Sequence, residues 1–256
     1  MKTPRLLPAL FFVAAALPSV PATLQADELG AFGEHSAAKH LVLIDRGGVL
    51  YDKWYAVLGK EPPAGTHPAY PKAGKQKGAS TWRCKECHGW DYKGVDGAYG
   101  AGSHQTGFPG IRDAASMSSE DLTAWLTGAK NPDHDFSQVL DEAYINALVT
   151  FVQKETLDSA AYINADKTVN GDAARGKVKF EKTCAACHGT DGKKINFGSD
   201  AEPEFVGTVA ADNPWEFFHK ATFGQPGEPM PAGAALGWSF EDRANVLAYA
   251  QTLPTK

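Results

Sequence analysis

Two copies of one five-residue pattern, Cys84-Lys85-Glu86-Cys87-His88 and Cys184-Ala185-Ala186-Cys187-His188, hold every cysteine in the 256-residue chain. Cys-x-x-Cys-His is the pattern at which a c-type haem is attached. Two cysteines three apart on a helical turn point the same way, so both thiols can add across the haem's vinyl groups while the adjacent imidazole reaches iron from one face. The same letters also suit half a zinc site or a redox dithiol. A zinc ribbon keeps its cysteine pairs within about 20 residues of each other, whereas these pairs lie 100 apart. A dithiol motif sits in a strand–helix–strand pattern, and no β-branched run surrounds either copy. Covalent haem is the better reading of both.

Lys2 and Arg5 precede the apolar run Leu6 to Leu17, and small residues follow near Ala22 and Ala26. That order is a secretory signal peptide's, so residues 1–26 read as one, cut after Ala22 or after Ala26. The apolar run falls short of the ~20 residues a spanning helix needs, although an uncleaved anchor is the alternative. Export to the periplasm suits haem attachment, which requires reduced cysteine pairs handled outside the cytoplasm. Disulfides within each pair would close loops too small to be of structural use. The formal net charge is −5, and loss of Lys2 and Arg5 with residues 1–26 makes it −7. Nucleic acid is therefore an unsuitable partner.

The chain also repeats itself outside the motifs. Arg46-Gly47-Gly48-Val49-Leu50-Tyr51 matches Arg175-Gly176-Lys177-Val178-Lys179-Phe180, and Gly89 and Gly189 follow the two motifs. Each motif then leads to a proline-bearing loop, with Pro109 in one and Pro203 in the other. Next comes a short helix, capped by Ser118 with Asp121 in one half and opened by Asn213-Pro214 with Glu216 in the other. A longer amphipathic helix closes each half, with Tyr144, Leu148 and Val152 on one face, and Val246, Leu247 and Ala250 after a Ser239/Asp242 cap.

This helix order resembles that of class I cytochrome c domains, and the chain resembles a dihaem cytochrome c of the cytochrome c4 layout over residues 40–256. The resemblance implies an all-α fold of two tandem domains, each wrapped around one haem. Residues 27–157 form the first domain, 158–170 a linker and 171–256 the second. It also implies that the carbonyls of Pro109 and Pro203 orient the two proximal imidazoles. The first half departs from the pattern. Gly176 lies 8 residues before Cys184, but Gly47 lies 37 before Cys84, leaving 29 extra residues. This insertion, at about 52–80, holds Pro62, Pro63, Pro68 and Pro71 and reads as a surface loop. Lys60, Lys72, Lys75 and Lys77 read there as solvated side chains or as a docking patch for an acidic partner. The salt dependence of reduction would decide between the two.

His88 and His188 are the proximal ligands by motif. Met230, between Pro229 and Pro231 and 42 residues after His188, occupies the distal place for the second haem. Aligning Gly128 with Gly224 puts His134 at the same place in the first half, 46 residues after His88. His134 is the expected distal ligand of haem 1, with Met117, His104 and His67 as rivals. Imidazole and thioether are both accepted axial ligands, and Met/His ligation raises the potential. Trp82, Trp125, Phe151, Trp215 and Tyr249 read as packing around the haems.

Two six-coordinate irons leave one-electron exchange as the chemistry. The expected role is an exported, soluble electron carrier between a redox donor and an acceptor, or the cytochrome subunit of a respiratory oxidoreductase docked at the membrane. The alternative is a dihaem enzyme, a peroxidase or sulfur-compound oxidoreductase, with a displaceable ligand at haem 1. Thiosulfate dehydrogenases of similar layout place a cysteine on iron, and no cysteine is left over here.

Overall fold

The structure, a computed structural model, describes residues 46–256, which fall within one compact unit. The expected signal peptide and its cleavage site lie outside the described residues, as does the start of the first half. Among the described residues there are nine α-helices, several short 3₁₀ turns and only isolated β-bridges. None of these helices is long and apolar enough to cross a membrane. The all-α expectation holds.

Helix α1 covers residues 46–57 and α2, Cys84–His88, carries the first motif. Helices α3 (Ser119–Leu126) and α4 (Glu142–Lys154) complete the first half. The second half runs through α5 (Ala173–Thr183), α6 (Ala185–His188), α7 (Val206–Asp212), α8 (Pro214–Phe223) and α9 (Phe240–Ala250). The expected caps are made. Ser118 accepts from the Asp121 N–H, Asn213 from that of Glu216, and Ser239 and Asp242 form a reciprocal box. These side chains satisfy helix N–H groups that have no partner inside the helix.

Both halves are built on the same crossing of first and last helices. Gly47 lets α1 approach α4 so closely that a Cβ would meet the Ala147 carbonyl and Phe151 Cβ at 2.5 Å. Gly176 does the same for α5, where a Cβ would collide with the Asn245 carbonyl of α9. Around each crossing lies an apolar face of the terminal helix. In α9 the expected Val246, Leu247 and Ala250 are buried. In α4 Leu148 is buried with Ile145, Ala147 and Phe151, whereas the expected Tyr144 and Val152 are half-buried at its margin. Residues 158–170 are tied down on both sides. Arg112 pairs with Asp158 at 2.8 Å, Ile163 and Val169 form a bridge, and Gln251 donates to the Lys167 carbonyl at 2.8 Å.

Helix α8 of the second half enters the core of the first. The Phe223 ring lies against Gly48 and packs on Phe151. His219, 1% exposed, donates from Nε2 to the Gly48 carbonyl at 3.0 Å and accepts at Nδ1 from the Tyr92 hydroxyl at 2.5 Å. A carbonyl can only accept, so the hydrogen is on Nε2 and the ring is neutral. Beside it, buried Asp52 of α1 binds Lys220 Nζ at 2.6 Å and Arg83. Burial alone would raise the Asp52 carboxyl, but the Lys220 and Arg83 charges outweigh it and hold the group at about 2.

Burial pushes the His219 imidazole down to about 4 from an ordinary value of 6.5. A depressed histidine is fully stabilising above its unfolded value and loses that contribution as pH falls through the folded one. Thermal stability is therefore expected to drop between pH 6.5 and 4. His219→Gln should lower the melting temperature at pH 7 and flatten that drop by one proton's worth of slope. Equal pH slopes for the two proteins would contradict the assignment.

Candidate haem centre

The first motif is held rigid from several sides. Helix α2 ends at Gly89, whose φ of 78° reverses the chain, and the Tyr51 hydroxyl donates to the Gly89 carbonyl at 2.6 Å. Thr106 donates to the Cys87 carbonyl at 3.1 Å. Within the motif helix, buried Glu86 accepts from Lys85 Nζ at 2.8 Å and from His104 Nδ1 at 2.5 Å. Burial would raise Glu86, but His104 and Lys85 bring it to about 2. Burial pushes the Cys84 and Cys87 thiols up to about 12.

The His88 imidazole donates from Nδ1 to the Pro109 carbonyl at 2.7 Å. This bond leaves Nε2 with its lone pair free, the tautomer a metal ligand needs. Burial pushes the ring down to about 4, which keeps it neutral. His134 makes a matching bond, donating from Nδ1 to the Trp125 carbonyl of α3 at 3.0 Å. The two ring centres are 6.3 Å apart with planes at 85°. Two metal–imidazole bonds of about 2 Å, with each ring centre roughly 1 Å beyond its nitrogen, span about 6 Å. The gap between His88 and His134 therefore fits one metal, and the two thiols on the same helical turn fit a covalently held porphyrin.

The rival ligands are otherwise engaged. Met117 packs against the core, and its carbonyl accepts from Gln153 at 2.9 Å. His104 is bound to Glu86 and stacked on Tyr99 at 4.8 Å. In His67 the Nδ1 accepts from the Ala69 N–H at 3.2 Å, so the hydrogen sits on Nε2, the wrong tautomer for ligation through that atom. Trp82 and Phe151 pack as expected. Trp125 does not: its side chain is 42% exposed on the outer face of α3, and its backbone carbonyl is what matters here.

At the second motif the expected Pro203 contact is not made. His188 Nδ1 is buried with no hydrogen-bond partner. The reason is one of register. Ile111 N–H bonds the Tyr92 carbonyl, four residues past His88, and Val206 N–H bonds the Gly192 carbonyl, four past His188. Counting back from these, Pro109 corresponds to Glu204 rather than Pro203. The Glu204 carbonyl is taken by the Phe197 N–H at 2.8 Å in a loop that closes on itself. Cys184 packs on the core and Cys187 is exposed. Met230, in the loop between α8 and α9, lines an open cleft of about 520 Å³ with Val49, Val57 and Phe223. The motif residues are those a second haem would need, but His188 lacks the carbonyl anchor that His88 has.

Comparison with known proteins agrees with this chemistry. Residues 171–249 match the family model "Cytochrome C oxidase, cbb3-type, subunit III". The chain is 26% identical over 175 residues to the "Cytochrome bc1 complex cytochrome c subunit" of Mycobacterium bovis and of Mycobacterium tuberculosis, covering 65% of this chain and 58% of those proteins. It is 33% identical over 117 residues to the "Cytochrome c-type cyt cy" of Rhodobacter capsulatus, covering 37% of this chain and 56% of that protein. The chain thus spans somewhat over half the length of the curated relatives it matches. No solved structure matches it. Residues 171–249 are thus similar to a c-type cytochrome domain, and the two Cys-x-x-Cys-His motifs with the His88–His134 geometry fit covalently held haem.

The Pro109 carbonyl depends on a glycine opposite it. Gly94 has φ 54°, and a Cβ there would meet the Phe108 carbonyl oxygen and the Pro109 carbonyl carbon at 2.5 Å. Gly94→Ala is expected to push this peptide off His88 and to cost about 1–3 kcal/mol. Thermal melting with NMR of the His88 Nδ1–H would register both effects. A native melt with the proton still protected would remove the role assigned to this contact.

Proposed function

We propose that the chain is an exported dihaem cytochrome c that passes single electrons between two redox proteins. In this reading Cys84, Cys87, His88 and His134 hold the first haem, and Cys184, Cys187, His188 and Met230 hold the second. Residues 27–157 and 171–256 are the two haem-bearing domains, joined by 158–170. The observation that carries the reading is the facing pair His88 and His134, each with Nδ1 anchored on a backbone carbonyl and 6.3 Å between ring centres. When bound, the haems supply the one-electron chemistry. Backbone carbonyls fix the tautomers of His88 and His134, and with His188 and Met230 holding the second haem no open site would remain for a substrate.

The relatives' names favour a place in respiration, with the chain serving as the cytochrome subunit of a periplasm-facing oxidoreductase or as a carrier that docks to one. Two imidazoles on haem 1 and imidazole plus thioether on haem 2 set different potentials, the second higher. Electrons then run from the first half to the second, favoured tenfold for each ~59 mV of difference.

Redox titration of the purified, haem-loaded protein tests this directly. Two one-electron waves are expected, with the lower belonging to the bis-histidine centre. A single haem, or the reverse order of potentials, would overturn the proposal.

A further inference from the structure

The insertion in the first half is the surface loop its prolines and glycines imply, but it is pinned at two buried side chains. Its His67 is 5% exposed and its Tyr70 6% exposed, and hydrogen bonds tie residues 65–67 to residues 78–82. His67 N–H donates to Thr81 Oγ1 at 2.9 Å, Gly78 N–H to Thr66 Oγ1 at 3.1 Å, and Trp82 Nε1 to the Gly65 carbonyl at 3.2 Å.

What this packing covers is the His134 segment. The His67 ring stands edge-on to Trp82 at 4.4 Å and stacks on Phe136 at 5.2 Å with planes 27° apart. It lies 6.2 Å from the His134 ring, which itself touches Phe136 at 5.2 Å. A second tether reaches the same stretch of chain: Lys60 Nζ, from the start of the insertion, donates to the Val139 carbonyl at 2.9 Å. His134 and Phe136 are therefore held between α3 on one side, through the Trp125 carbonyl, and the insertion on the other.

We propose that the insertion is a latch that keeps His134 seated opposite His88, with His67 as its positioning residue, and so closes haem 1 to small exogenous ligands. This rests on His134 being the distal ligand. On a short 3₁₀ turn, Pro132–His134, only the metal bond itself and one hydrogen bond to the Trp125 carbonyl would otherwise hold the imidazole in place. Stacking His67 on Phe136 couples its departure to the opening of an aromatic cluster, which makes the open form rare.

The test uses the full haem-loaded protein, reduced and exposed to carbon monoxide, with the haem 1 spectrum as the readout. Wild type should bind the gas slowly at haem 1. His67→Ala should bind it about tenfold faster, the change that roughly 1.4 kcal/mol of lost closure produces. His67→Phe, which retains the stacked ring, should restore slow binding. Lys60→Met alters an exposed residue and should accelerate binding in the same direction, so it decides the matter if His67→Ala fails to fold. Fast binding by wild type, or unchanged rates in His67→Ala and Lys60→Met, would overturn the latch. His134→Ala separates this from the ligand assignment. If it opens haem 1 while the other variants do not, only the latch fails, and if haem 1 stays six-coordinate, the bis-histidine reading itself falls.

Discussion

A histidine can offer a metal only the nitrogen that does not carry its hydrogen, so whatever binds the other nitrogen decides the geometry of the centre. In this protein two backbone carbonyls do so, that of Pro109 for His88 and that of Trp125 for His134. Carbonyls cannot donate, so each bond fixes its ring in one tautomer with the lone pair on Nε2. Both carbonyls belong to segments that the surrounding fold holds firmly. Pro109 pairs with Gly94 in a short bridge, and Trp125 lies within α3. The proposed iron position is therefore a property of the backbone around it as much as of the two histidines.

The same logic of satisfied polar groups joins the two halves. His219, Tyr92 and the Gly48 carbonyl form one buried chain of hydrogen bonds, and Asp52, Lys220 and Arg83 form a buried ion cluster beside it. Removing one member of such a cluster strands the others without water or partner, which is costly. Arg83 immediately precedes Cys84, so the second half's α8 reaches within one residue of the first haem motif. The environment of the first centre thus depends on residues contributed by the second half.

Much of this was legible in the sequence because it is local. The motif helices, the capping residues Ser118, Asn213 and Ser239, and the glycines at the helix crossings each express their structural role within a few positions. The place of His134 opposite His88 follows the alignment of Gly128 with Gly224, the turn before each terminal helix. Pro203 was misplaced because the second loop differs in length, and proline identity is a poorer guide to register than the Tyr92 and Gly192 carbonyls that fix it. Prolines and glycines mark the insertion as a surface loop, but not its anchors, because the contacts of His67 with Phe136 and of Lys60 with Val139 span about 70 residues or more. Trp125 was legible only as a side chain, and its contribution is a main-chain oxygen.

The central claim is that two covalently held irons are each closed by protein ligands on both faces, one by two imidazoles and the other by an imidazole and a thioether. Electron paramagnetic resonance with near-infrared magnetic circular dichroism of the oxidised, haem-loaded protein reads both ligand sets at once. The account requires two low-spin ferric centres, one with a bis-histidine signature and one with the charge-transfer band of histidine–methionine ligation. A high-spin ferric signal from either motif, or two identical histidine–methionine centres, would contradict it.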